Sequence, residues 1–554
     1  MDYIVDLIGA FFAWFDVTKW STVDFLFKII VIGGFLALIG IFWSYYKGLR
    51  ESPRDMWFLF IYKFVEYTAY AAMNMAIILW LSRDCGLGDI EAGTYISGWS
   101  VMLSLMAMIA GALVDTIGIR KTLIISVVFL TISRFFMSFI TDPIAVFLLG
   151  FVPLAIGFAI VGPLVSVAIK RYTSKEGAAV GFGLFYVVMN LAYAAGARFF
   201  DYLRTSDSYV LRDAAGKIID ENAGIDLLGM HFSTYQMFFV FGLIATLTSL
   251  FIILFIRDGI SVTDDGKTIV TPLKNRGSGL QAVKGAAMDT GKLINSVFRE
   301  KYFWIFVGML SLTLFVRFIF FHFHYTFPKY GIRILGEGSP IGNIYGFLNP
   351  VLIVFLVPFV AYFTKKTSSY KMLIIGSTIS ALSCFLTLIP NASVEWLTNS
   401  VLGELVFINW LNVAPDMTAL MADPPTPEYW SLIIFITVFT IGEAIWSPRL
   451  MQFTAEIAPK GKEGTYIALS VLPFFAAKFA VGPMSGLLLK VYTPVDEAGK
   501  ALVAGYPDHY MIWVWIGGMA LITPIALIVM RNLFHRALDG GDHHNKEEEA
   551  TAEG

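Results

Sequence analysis

The chain has 554 residues, of which 57% are apolar and only 15% charged, and its mean hydropathy is +0.70. A soluble protein of this length needs far more polar surface, whereas a bilayer lets apolar side chains face outward and requires backbone hydrogen bonds to close within helices. The class is therefore an all-α polytopic membrane protein, and a net charge of −2 argues against nucleic-acid binding.

In chain order, the opening "MDYIVDLIGAFFAWFDVTKW" has neither a basic n-region nor a small-residue cleavage site. It reads as an interfacial segment rather than a signal peptide. Crossing ~30 Å of hydrocarbon takes about 20 helical residues. On that measure thirteen spans are predicted, near 24–45, 56–81, 94–114, 122–141, 143–169, 178–200, 235–256, 302–327, 341–364, 371–390, 431–452, 464–489 and 510–530. The first is set apart by the charged linker "KGLRESPRD", so residues 1–50 form an interfacial segment and an extra membrane helix. Six spans follow in 51–256, then a basic linker in 257–301 in which "LQAVKGAAMDTGKLINSVF" is predicted to form a surface helix. Six more occupy 302–530, with an insertion near 391–430, and 531–554 reads as a disordered acidic tail. Cys85 falls in a loop and Cys384 in a span, which gives no disulfide framework and no metal spacing.

Lys47, Arg50, Arg120, Lys121, Lys170, Arg171, Lys365 and Lys366 all lie in loops on the side of the linker. The positive-inside rule puts that side, and the C-terminus with it, in the cytoplasm of a plasma (inner) membrane. The chain also repeats itself. "GALVDTIGIRKTLIIS" (111–126) aligns with "AYFTKKTSSYKMLIIG" (361–376) at an offset of 250, and "KEG" at 175–177 recurs at 462–464, offset 287. The growth of 37 between them places an insertion before the eleventh core span, where 391–430 lies. Two six-helix halves joined by a long loop describe a transporter that rocks about a midplane site.

"GALVDTIGIRK" resembles the loop between the second and third helices of the major facilitator superfamily, G-x-x-x-D-x-x-G-R-[RK], through Gly111, Asp115, Gly118, Arg120 and Lys121. The resemblance implies a two-bundle fold in which Gly118 makes a tight turn and Asp115 and Arg120 clamp the cytoplasmic side. "GFAIVGPLVSVAIKRY", "GFGLFYVVMNLAYAAG" and "GEAIWSPRLMQFTAEIAP" are similar to the fourth, fifth and tenth helices of the proton-coupled oligopeptide transporters. In that family the tenth-helix glutamate, which aligns with Glu443, helps bind the peptide amino end. The family's first-helix E-x-x-E-R is here "KFVEY", so only Glu66 survives while Lys63 and Tyr67 replace the other two. Its fourth-helix lysine before proline is Gly162. With both groups replaced, simple dipeptides are expected to be poor substrates.

Each intramembrane ion costs at least about 2.5–3.5 kcal/mol on insertion scales, so these charges need partners or a watery cavity. Lys63, Glu66, Tyr67, Tyr70 and Asn74 follow i, i+3, i+4, i+7, i+11 and make one polar stripe, read as a cavity wall or as a buried Lys63–Glu66 pair. Tyr186, Asn190 and Tyr193 form a second stripe, which serves either a cavity or helix packing. Arg317 falls at the repeat position of Tyr67, facing Glu66 from the other half. His322 and His324 read as interfacial, and Arg134 as structural. Glu443 is near the midplane and is expected to face the cavity. Arg449, six residues on and about 240° round the helix, lies after Pro448 and is assigned to a cytoplasmic gate or a snorkelling role. Lys478 is expected to partner Glu443 or a substrate carboxylate.

No Walker-type loop, H-E-x-x-H or G-x-S-x-G is present, so neither ATP, a metal, another cofactor nor enzymatic chemistry is expected. The reading is a secondary active transporter, monomeric, moving a small polar or amphipathic, possibly peptide-like, solute by alternating access coupled to protons. The alternatives are a facilitator or symporter for a sugar, nucleoside or organic anion, and a non-transporting receptor. The charge pattern predicts that residue 1 lies outside and residue 554 inside. Single cysteines near each end, labelled from either face of sealed vesicles, should react from opposite faces; labelling from one face would make 24–45 a re-entrant or interfacial segment.

Overall fold

The computed structural model describes residues 21–263, 265–270, 285, 288, 298–299, 301–456, 472–496, 499–502 and 504–531. The N-terminal interfacial segment, the second "KEG" and the acidic tail lie outside the described residues, as does almost all of the predicted linker helix. The chain divides into two units, Met1–Arg50 with Ile389–Ser431, and Glu51–Leu388 with Leu432–Gly554.

The first unit joins the extra helix to the insertion, a pairing that sequence does not suggest. Helix α1 (Thr22–Gly48) starts at Ser21, whose hydroxyl accepts from the Asp24 amide at 3.0 Å and donates to the Glu404 carboxylate at 2.9 Å. Only Val23 of this helix is buried, which suits a segment surrounded by lipid. The insertion carries a short apolar helix, Val401–Trp410. Its Phe407 meets Tyr429 and Trp430 edge-on at 5.5 and 5.3 Å, and Trp430 Nε1 donates to Thr398 at 3.0 Å.

In the second unit the N-terminal bundle comprises α2 (Arg54–Arg83), α3 (Asp89–Ile117), α4 (Ile119–Phe139), α5 (Pro143–Tyr172), α6 (Lys175–Thr205) and α7 (Thr234–Ile253). Between α6 and α7 lie two hairpins, β1 (Leu211–Arg212) with β2 (Ile218–Asp220) and β3 (Ile225–Leu227) with β4 (Met230–Phe232). After α7 comes a third, β5 (Ile260–Val262) with β6 (Thr268–Val270). The C-terminal bundle contains α8 (Lys301–Ser311), α9 (Leu314–Tyr325), α10 (Phe327–Leu335), α11 (Gly342–Thr364), α12 (Ser369–Leu388), α13 (Glu428–Glu456), α14 (Leu472–Tyr492), α15 (Met511–Ala520) and α16 (Ile522–Val529). Among the described residues, ten stretches are long and apolar enough to cross a membrane. The repeat is visible in the backbone: the turn at Gly118, with φ +91°, corresponds at offset 250 to the turn ending at Ser368.

Where a single span is predicted over 302–327, the helix is instead interrupted at Thr313 and Thr326. An interruption inside hydrocarbon frees backbone groups that something must satisfy. Thr523, in the equally interrupted last span, does so: its hydroxyl donates to the Leu312 carbonyl at 2.7 Å and accepts from the Val316 amide at 3.0 Å.

The two bundles meet most tightly where α3 runs along α14. A Cβ on Gly482 would strike the Gly93 carbonyl, and one on Gly486 would strike the backbone of Asp89 and Ile90. Only glycine permits such an approach. Ser97 fills the seam, donating to the Lys478 carbonyl at 2.6 Å and accepting from the Gly482 amide at 3.0 Å. Gly482→Leu should therefore hold the seam apart. With Ser97→Cys as probe, labelling by a hydrophilic maleimide should rise at least tenfold over the Gly482 background, where this position is 1% exposed. Equal rates in the two backgrounds would mean that these glycines do not set the closure.

Candidate functional site

The ends of the bundles opposite the 257–301 linker, called here the far end, are closed by buried charge. Asp89 accepts from Lys329 at 2.9 Å and Arg333 at 2.7 Å; Arg83 binds Glu337 and reaches Asp220 at 3.5 Å. Glu221, in the β2–β3 connection, accepts from Arg204, from the Tyr235 hydroxyl at 2.5 Å and from the Gly338 amide at 2.7 Å. Burial alone would raise the pKa of Asp89 and of Glu221, but Lys329 with Arg333 in one case, and Arg204 with Arg83 in the other, hold both below the usual carboxylate range. Among the described residues, every hydrogen bond or ion pair between the two bundles lies from this end to the middle of the helices, as deep as Lys478 Nζ on Ser104 Oγ at 2.7 Å.

Beneath this closure α6, α9, α11 and α13 converge, with Met75 of α2, on a cavity of about 270 Å³. Glu443 is aimed into it by its own helix: Gly442 lies against α12 so closely that a Cβ there would sit 2.7 Å from the Ser380 amide, and this turns the next residue to the cavity. Asn349 Nδ2 donates to Glu443 at 2.7 Å and contacts the Thr440 hydroxyl at 3.0 Å, so one amide fixes the carboxylate and the helix turn before it. Arg317 lies under the rings of Phe474 and Trp446, at 4.5 and 5.8 Å, a favourable placement for a guanidinium. It makes no ion pair with Glu443, and its Nε has no hydrogen-bond partner among the described residues. Tyr186, Asn190, Tyr193 and His324 also line the cavity. Asn190 spends its amide nitrogen on the Tyr186 carbonyl at 2.8 Å, and His324 Nδ1 meets the Phe320 carbonyl at 3.0 Å.

Four of the nine residues assigned to binding from the sequence, Tyr186, Asn190, Arg317 and Glu443, thus converge here, whereas the stripe on α2 does not reach this lining. Glu66 turns into the N-terminal bundle and binds Arg134 at 2.9 Å, both fully buried. Arg134 also donates to the Gly242 carbonyl at 2.9 Å and to Thr246, in space that Gly242 leaves: a Cβ there would sit 3.2 Å from the arginine. The alternative Lys63–Glu66 pair does not form. Lys63 Nζ sits over the Tyr67 ring at 3.0 Å and the Phe185 ring at 4.2 Å, without a hydrogen-bond partner among the described residues. Tyr70 packs on Phe158 at 4.4 Å, and Asn74 is buried. Lys478 is bound to Ser104 in the α3–α14 seam, not to Glu443. Of the gating set, the Asp115 side chain lies outside the described residues; the Arg120 amide donates to Asp258 at 3.1 Å; Arg449 donates to Gln452 at 2.6 Å and to the Thr364 carbonyl at 3.2 Å, closing the end of α11. Sequence reading missed Asn349, although an amide directly before Pro350 in an apolar span was a signal for it.

The family model of the Major Facilitator Superfamily matches residues 59–483. Among solved structures, a POT family transporter in complex with 5-aminolevulinic acid is 15% identical, with TM-score 0.57 over 86% of this chain and 96% of that one. Tetrameric PepTSo2 is 13% identical, TM-score 0.59 over 87% and 98%. A bacterial homologue of the human drug peptide transporters is 13% identical, TM-score 0.58 over 87% and 99%. At these identities the likeness is one of fold. No curated protein matches the chain.

The Glu66–Arg134 geometry makes a specific prediction. Glu66→Gln leaves a buried guanidinium uncompensated and should destabilise the protein by about 3–5 kcal/mol, while Glu66→Gln with Arg134→Gln should recover part of that loss. Thermal unfolding in detergent reads this directly. A Glu66→Gln protein as stable as the parent would deny the pair its structural role.

Proposed function

The chain belongs to the major facilitator superfamily, and from that premise we propose that it moves a small polar or amphipathic solute by alternating access, coupled to protons. The observation that carries the proposal is a cavity between two bundles, lined by an acid and a base that do not pair with each other. Unpaired charges in a desolvated site are costly unless a solute or solvent meets them.

The far end is taken as the extracellular one, following the charge asymmetry of the loops. The molecule then stands closed to the outside, with Asp89, Lys329, Arg333, Arg83, Glu337 and Glu221 forming the outer gate. Opening outward breaks the pairs of Asp89 with Lys329 and Arg333 and of Arg83 with Glu337, frees Glu221 from the Gly338 amide and parts the α3–α14 seam, and a matching closure forms on the linker side. Asp115, Arg120 and Arg449 belong to that side. Glu443 is the ionisable group in the cavity best placed to bind a proton and a solute in turn. Its carboxylate accepts from Asn349 in the charged form and attracts a cationic group on the solute; protonation removes that attraction and releases the solute.

Glu443→Gln keeps shape and hydrogen bonding but removes charge and titration. The variant should fold and insert, while solute uptake into proteoliposomes driven by a pH gradient should fall at least tenfold, about 1.4 kcal/mol or more. Undiminished gradient-driven uptake would remove Glu443 from the mechanism.

A further inference from the structure

The two charges of the cavity stand on the same wall. Glu443 is on α13 and Arg317 on α9, both in the C-terminal bundle, whereas the N-terminal bundle contributes, among the described residues, Met75, Met189 and Tyr193, with Tyr186 and Asn190, all neutral. We propose that the solute is a compact zwitterion with an apolar body, of the α-amino-acid type, held by its charged head against the C-terminal bundle. The proposal rests on the reading of this cavity as the transport site, and adds the chemical class of what it takes.

Four observations lead there. Opposite charges without an ion pair between them leave a place for a cationic group at Glu443 and an anionic group at Arg317. Among the described residues, the remaining basic group on the lining, His324, is already engaged with the Phe320 carbonyl through Nδ1. Because both charges lie on one side and within electrostatic reach of each other, the complementary groups of the solute must lie close together and point the same way. An added peptide unit moves the carboxylate about 3.8 Å further from the ammonium, and directs one of them towards a wall without a cation among its lining residues. Finally, about 270 Å³ is below the ~300–1,000 Å³ usual for small-molecule sites, and the wall opposite the charges is built of thioethers and rings, which suit an aliphatic or aromatic side chain.

A solute with only one charge leaves the other cavity charge unmet, so it should bind much more weakly. The test uses the purified full chain with L-leucine, leucinamide, N-acetyl-leucine and leucyl-leucine, measuring binding by calorimetry and exchange by counterflow in proteoliposomes. Leucine should bind at least tenfold more tightly than each of the other three. Arg317→Gln should erase its advantage over leucinamide, and Glu443→Gln its advantage over N-acetyl-leucine. Equal or tighter binding of the dipeptide or of either singly charged analogue, or no binding of leucine, overturns the proposal. Leucine that binds with this pattern but is not exchanged across the membrane upholds the site chemistry and overturns the transport reading instead.

Discussion

The rest of the structure depends on the approach of α3 to α14. Two backbones can touch inside a bilayer only where no Cβ intervenes, and Gly93, Gly482 and Gly486 supply that gap. Ser97 and Ser104 then use the closeness to satisfy a main-chain amide, a carbonyl and an ammonium. With the seam closed at this depth, Asp89 can sit between Lys329 and Arg333, and Arg83 beside Glu337, largely out of water. The cavity is what remains beneath, where the bundles diverge and side chains no longer fill the space.

Two acids near mid-depth show how the same residue type is put to different ends. Glu66 has a guanidinium within hydrogen-bond distance, room made by Gly242 and no access to the cavity, so its charge is consumed in holding α2 to α4 and α7. Glu443 has only an amide donor, and the nearest cation in its cavity, Arg317, is covered by aromatic rings rather than by a carboxylate. A paired buried ion is structural because parting it costs several kcal/mol. An ion without a counterion is available to a ligand.

The broken helix of the C-terminal bundle and the extra unit are departures that serve different needs. The breaks at Thr313 and Leu521 lie together, and Thr523 satisfies the Leu312 carbonyl and the Val316 amide that the first of them frees. The Ser21–Glu404 bond ties α1 to the insertion, and the aromatic cluster of Phe407, Tyr429 and Trp430 holds the insertion to the start of α13.

By itself the sequence determined the solvent, the apolar helices, ten of which are long enough to cross a membrane among the described residues, and the two-bundle plan, because these follow from hydropathy, span length and local motifs such as Gly118. It also singled out Tyr186, Asn190, Arg317 and Glu443 as polar residues inside apolar spans, which is a local property of the chain. Which of the mid-depth charges face the cavity was decided only by tertiary structure. Glu66 found Arg134, sixty-eight positions away, Lys478 found Ser104, and α1 found the insertion. Helical periodicity reports the angle at which a side chain leaves its own axis, but the neighbour that stands there is set by how the helices pack, and that information is held jointly by several segments rather than by any one of them.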